Sequence, residues 1–137
     1  GNAVDPERFA QFVDIIDTLQ ARDIQVVAFM PAYMPSLWDE MIVDERYDYL
    51  RELLPRLETF FAERGIPYFD FSDGAVLGAT DEDFFDGWHM SERISTQAYI
   101  NMARAVPELA AYSDLDRLQE IVNTAPDTFR VFPFTAQ

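Results

Sequence analysis

The sequence predicts an α/β fold with a short, mostly parallel sheet flanked by helices. Helix-type and strand-type patterns alternate with short connections over the first two thirds of the chain, the arrangement of βαβ units. The strand candidates are short apolar runs rich in β-branched and aromatic residues, without the polar alternation of a half-exposed strand. With 137 residues, 49% of them hydrophobic, and twelve phenylalanines, the chain can bury one sizeable core.

Asp5 is placed to cap a first helix whose opening turn holds Pro6 and Glu7. Phe9, Phe12, Val13, Ile16 and Leu19 then recur at helical spacing opposite Arg8, Gln11, Asp14 and Asp17, so this helix covers something. Residues 24–30, Ile-Gln-Val-Val-Ala-Phe-Met, read as a strand buried on both faces. It is followed by a loop over Pro31-Ala32-Tyr33-Met34-Pro35, where two prolines end regular structure. In an open α/β sheet the loop leaving a strand's carboxyl end is where ligands bind, which makes Tyr33 and Trp38 candidate wall residues; a merely packed loop is the plain alternative.

A second helix is expected over 44–64, with Tyr47, Leu50, Leu54, Leu57 and Phe61 on its apolar face and a kink or break at Pro55. Gly65 stops it, and Ile66-Pro67-Tyr68-Phe69-Asp70-Phe71 reads as a second strand with the proline at its start. An acidic loop follows over 72–83, in which Thr80-Asp81-Glu82-Asp83 forms a capping box opening one helical turn. Ser91 caps a helix running to Val106, with Ile94, Ala98, Met102 and Ala105 inward and Pro107 at its end. A last helix over 113–122, capped by Ser113, and an extended piece over 129–134 complete the chain.

The charge balance is 25 acidic residues against ten basic ones, all arginine, for a net charge of −15. Such a field repels phosphate backbones and anionic bilayers, so no nucleic-acid partner is expected. Lysine-free composition with abundant Asp and Arg is the mark of a biased genome or of a salt-tolerant lifestyle. The chain has no cysteine, which excludes disulfides, thiol catalysis and thiolate metal sites while leaving the compartment open. No apolar run is long enough for a membrane span, and no secretory leader pattern opens the chain.

The chemistry-bearing stretch is Asp83-Phe84-Phe85-Asp86-Gly87-Trp88-His89-Met90-Ser91, which holds the only histidine. A carboxylate beside an imidazole fixes its tautomer and stabilises the imidazolium, which makes a general base that works near neutral pH. Asp86 and His89 are therefore the candidate catalytic residues, against the plainer reading of a hydrogen-bonded structural turn. The acidic loop (Asp70, Asp73, Asp81, Glu82, Asp83, Asp86) offers oxygen ligands to Ca²⁺ but lacks the D-x-[DN]-x-[DN]-G register, so neither a metal nor another cofactor is expected.

The order strand, acidic loop, D-x-x-H, helix over residues 68–103, YFDFSDGAVLGATDEDFFDGWHMSERISTQAYINMA, resembles the C-terminal half of the SGNH or GDSL hydrolase superfamily, including its acyltransferase-like branches that modify polysaccharides. The resemblance covers about residues 5–106, with 107–137 as a C-terminal helix and tail. It implies the C-terminal half of a flavodoxin-like three-layer domain, with Asp86 as orienting acid, His89 as general base, and Met30 to Pro35 near the substrate. The activity it implies is ester hydrolysis or O-acyl transfer on a small-molecule or saccharide acyl ester, with Trp88 or Tyr33 shaping the pocket. It also implies a location outside the cytoplasm.

The departure from that family is the missing first half of the machinery. No Gly-Asp-Ser block and no Gly-x-Asn block occurs, and none of the five serines (36, 72, 91, 95, 113) reads as a nucleophile on a strand-to-helix turn. A base without nucleophile or oxyanion donors does not run acyl transfer. The expectation is thus either one domain that has lost activity or the C-terminal part of a larger one, Gly1-Asn2-Ala3 reading as a cut or a cloning scar. The alternative from another class is a non-catalytic binding module, with Tyr33, Trp38 and Trp88 as stacking platforms for carbohydrate.

Overall fold

The structure, a computed structural model, describes residues 3–132 as two compact units. Residues 3–30 with Asp39–Asp70 form one, and Pro31–Trp38 with residues 71–132 form the other. The elements run α1 (Pro6–Gln20), β1 (Ala28–Met30), α2 (Pro35–Met41), α3 (Asp48–Glu63), β2 (Tyr68–Asp70), α4 (Glu92–Ala105), α5 (Pro107–Ala110) and α6 (Leu115–Thr124). Short 3₁₀ turns lie at Glu45–Tyr47, Gly74–Leu77 and Asp81–Asp83. The class is α/β, with a two-stranded parallel sheet in which Ala28 pairs with Tyr68 and Met30 with Asp70.

In the first unit, Asp5 caps α1 as its position predicts: the carboxylate accepts from the amides of Glu7 and Arg8 at 2.9 and 3.2 Å. The apolar stripe of α1 and that of α3 meet in one core of Ile16, Phe60, Phe61 and Ile66, with Phe9, Phe12, Val13 and Leu57 packed on it. Both helices end in the same way. Gly65 takes φ +65°, its amide bonds Ala62 C=O and that of Ile66 bonds Phe61 C=O, a Schellman ending; Asp23 does the same job at φ +55° with Ile24 bonding Leu19 C=O.

Two expectations fail here, and one of the two alternatives given for Pro55. The first strand begins only at Ala28, because the amide of Ile24 is spent on closing α1 and the partner strand is itself three residues long. It is not buried on both faces either: Phe29 is exposed between two half-buried neighbours. And of the kink or break expected at Pro55 the break is absent: α3 is one helix from Asp48 to Glu63, the residues before it forming a 3₁₀ turn. The missing hydrogen bond at an interior proline costs about 3 kcal/mol. Burial of Leu50 before it and of Phe60 and Phe61 after it holds both halves in one helix and outweighs that cost.

In the second unit, a parallel bridge joins Tyr33 to Asp73, and α4 packs on α5 and α6 with Ile94, Ile100 and Ala103 wholly buried. Ser91 caps α4, its Oγ accepting from Ile94 N at 3.3 Å. Ala105 faces outward rather than inward; Ala103 takes its place, since the buried stripe turns toward the neighbouring helices. α6 is capped by Asp114, which accepts from Arg117 N, because the Ser113 hydroxyl is engaged with Tyr99 at 2.7 Å. Over the described part of 129–134 there is no strand: Asp127 closes a turn by accepting from Phe129 N, and residues 133–134 lie outside the described residues. Directly after the loop, Pro35–Met41 form the helix α2, for which there was no expectation from the sequence.

Candidate functional site

The site is a seven-residue loop, 84–90, held at its two ends. Asp83 C=O accepts from Ser91 N at 2.7 Å, Phe84 and Met90 pair as an antiparallel bridge, and Phe85 N donates to His89 C=O at 3.0 Å. These bonds make a narrow two-sided loop whose tip is Asp86-Gly87-Trp88. Asp86 organises that tip. Its Oδ1 accepts from the amides of Trp88 (2.8 Å) and His89 (2.9 Å), the Asx-turn behaviour expected of an aspartate at a loop apex.

The other oxygen of Asp86 lies 2.8 Å from Nδ1 of His89. A carboxylate only accepts, so Nδ1 carries the proton and Nε2 is left with its lone pair turned away from Asp86. The bond from the ring, with the two backbone amides behind it, holds the Asp86 carboxyl below the ordinary carboxylate range. Both side chains are exposed. The D-x-x-H spacing thus places a tautomer-fixed imidazole at the surface, on a carboxylate that is itself pinned by three donors.

Beneath the loop sits a residue that spacing did not single out for this role. Asp83 is buried, and its carboxylate accepts from Thr80 N at 2.9 Å, from Arg93 through Nε at 3.0 Å and a guanidinium NH₂, and from the Thr128 hydroxyl. Burial pushes its carboxyl up, but the bonds from Arg93, Thr128 and Thr80 outweigh that and leave it below the ordinary value. The capping box legible in Thr80-x-x-Asp83 is present, and it is the smaller part of what Asp83 does. Arg93 lies ten residues on and Thr128 forty-five. No local pattern joins them.

The aromatic candidates come together beside the loop. Met34 N donates to Gly87 C=O at 3.1 Å, and a Cβ on Gly87 would collide with the Leu37 side chain, so glycine permits this close approach. Across it, the ring of Tyr33 lies parallel to that of Trp38 (5.8 Å between centroids) and edge-on to that of Trp88 (5.1 Å). Tyr33 is buried, Trp38 partly buried and Trp88 half-exposed. The backbone of Tyr33 is held close too: a Cβ on Gly74 would come within 2.5 Å of Tyr33 C=O. Three residues on, Ser36 in the first turn of α2 donates its amide to Asp81 Oδ1 at 3.1 Å, a cap whose acceptor lies 45 residues away and which no local pattern reveals.

The acidic loop divides its carboxylates among separate tasks. Asp73 accepts from Ala75 N, Asp81 from Ser36 N, Asp83 from Arg93, and Asp86 from His89. Among the described residues no three His, Cys, Asp or Glu side chains converge as metal ligands. The serines are likewise spoken for or remote in role: Ser91 caps α4 and is buried, Ser72 is buried, Ser113 bonds Tyr99, and Ser36 and Ser95 are exposed on helices. No helix of the described residues is long and apolar enough to cross a membrane. Comparison of the chain with family models, with curated proteins and with solved structures returns no match in any of the three.

Proposed function

We propose that this chain supplies the acid–base part of an SGNH-like ester hydrolase or O-acyltransferase, acting on acyl esters of saccharides or lipid-like substrates, with the hydroxyl nucleophile supplied from outside these 137 residues. One observation carries the reading: an exposed imidazole bonded through Nδ1 at 2.8 Å to a carboxylate whose other oxygen is fixed by two amides. This is the arrangement a proton shuttle needs, since it presents Nε2 as acceptor and compensates the charge that the ring acquires.

In this reading Nε2 of His89 takes the proton of the attacking hydroxyl as its oxygen bonds to the ester carbonyl carbon. The tetrahedral adduct then collapses, the ester C–O bond breaks, and Nε2–H returns the proton to the departing alkoxide. Asp86 stays ionised throughout and stabilises the imidazolium. Trp88, the residue before His89, is half-exposed with its ring nearly perpendicular to that of Tyr33, and in this reading it supplies apolar surface to an acyl chain or sugar ring. Water around the exposed pair weakens it, so full activity requires that substrate or further protein cover it.

The 137-residue chain alone is expected to turn over p-nitrophenyl acetate negligibly, and rapid turnover abolished by His89→Ala would refute the external-nucleophile part. The whole gene product containing these residues should react with a fluorophosphonate probe at a serine preceding Asp5, with His89→Ala suppressing the label. Absence of label on that protein favours the other reading, a non-catalytic carbohydrate-contacting module, for which the half-exposed Trp88 is the supporting observation.

A further inference from the structure

We infer that Asp83, gripped by Arg93 and Thr128, is the positioning residue of the Asp86–His89 pair. The inference rests on the reading of that pair as a proton shuttle, and it names the part of the chain that keeps the shuttle in register.

The orientation of the His89 imidazole has one identifiable source. Its ring is exposed and its side-chain bond goes to Asp86, so packing does not orient it; the loop backbone does. That backbone is set from its ends. Asp83 and Ser91 are the residues on either side of the loop, bonded to each other at 2.7 Å, and both are buried. From this closure the pairing climbs through Phe84 and Met90 to the bond between Phe85 N and His89 C=O. A shift at Asp83 therefore moves His89.

The network around Asp83 exceeds what a local turn requires. A capping box is complete with Thr80, whereas Arg93 adds a two-pronged ion pair and Thr128 a hydroxyl that donates to Asp83 and accepts from the Ser91 hydroxyl, 3.0 Å away. Thr128 thus bonds both ends of the loop at once. The same C-terminal stretch meets the loop a second time, where the Phe129 ring lies 4.1 Å from that of Phe85. It is tied to α4 as well, through Arg93 N on Thr128 C=O and through Val131 N on the Glu92 carboxylate. A buried ion pair is seldom the most stabilising choice for its volume, and fixing one geometry is the role such pairs serve best. Here the geometry fixed is the separation and register of the loop's two ends.

The single histidine makes the test direct. With ¹⁵N-labelled full chain at a pH where the ring is neutral, long-range proton–nitrogen spectra read one imidazole and report which nitrogen is protonated. The wild type should show the Nδ1–H form alone. Thr128→Val, which keeps shape and removes the hydroxyl, and Asp83→Asn should lose that single-form signature and shift the amide signals of Trp88 and His89, while the signals of α1 and α3 stay in place. Arg93→Lys should retain more of the signature than Arg93→Gln. If Asp83→Asn does not fold, Thr128→Val decides. A folded Thr128→Val protein with wild-type ring and amide signals overturns the inference and leaves the proposed function standing. A wild-type ring with mixed tautomers refutes the Asp86–His89 pairing itself, and the inference with it.

Discussion

Asp83 and Asp86 stand three residues apart, each paired with a cationic or protonatable partner, and the two pairs have opposite characters. The Asp83 side chain is 4% exposed and its Arg93 partner 29%, whereas Asp86 and His89 are 52% and 75% exposed. Both carboxyls are held below the ordinary range, the first against a burial penalty and the second in water. The difference shows how one short acidic stretch divides labour. A desolvated pair is strong because its alternatives are unsatisfied groups, so it holds structure. A solvated pair contributes little to stability and remains open to proton exchange, so it is free for chemistry.

Asp83→Asn tests the contrast hardest. An amide in place of the carboxylate leaves the Arg93 guanidinium without its counter-charge, and a loss on the order of 3 kcal/mol in denaturant unfolding is expected for breaking a largely buried pair. The pH dependence follows from the same bond. Because the folded carboxyl lies below its unfolded value, its stabilisation is present above roughly pH 4 and fades as pH falls through the folded value. Acid titration of stability should therefore fall more steeply for wild type than for Asp83→Asn. Equal slopes would remove Asp83 from the acid response.

A buried polar group without a partner gives the reverse case. The Tyr68 hydroxyl is buried with no hydrogen-bond partner among the described residues, and burial, with the charges of Asp70 and Glu58, pushes the phenol up to about 12. Tyr68→Phe removes an unsatisfied group and should leave stability unchanged or raise it by about 1 kcal/mol, read from the denaturation midpoint. A clear loss would show that the hydroxyl is satisfied after all. The smallest effect is expected at the exposed pair: Asp86→Asn should leave the thermal midpoint almost where it was while the His89 ring loses its single tautomer. A large drop in the midpoint would make Asp86 a structural residue and undo the contrast.

Much of this was legible in the residues themselves. The cap at Asp5, the stop at Gly65, the capping box at Thr80 and the cap at Ser91 are local bonds spanning at most five residues, and each was readable as such. The Asp86–His89 bond spans three and belongs with them. Where reading failed, the deciding partner was distant. The helix α2 takes a cap from Asp81, α3 runs on through Pro55 with Leu50 buried before it and Phe60 and Phe61 after it, and Ser113 gives up its cap to Tyr99.

By itself, then, the sequence determined the α/β class, the helix boundaries set by local caps, and a carboxylate one turn of loop from the sole imidazole, since all of these are short-range chemistry. Only the tertiary structure decided that Tyr33, Trp38 and Trp88 share one aromatic cluster, that one aspartate of the acidic stretch is sunk onto Arg93 and Thr128 while its neighbour stays in water, and that the strands shrink to three residues each. The reason is the same in every case. Burial and long-range partners set what a polar group is worth, and neither is encoded in the spacing of residues along the chain.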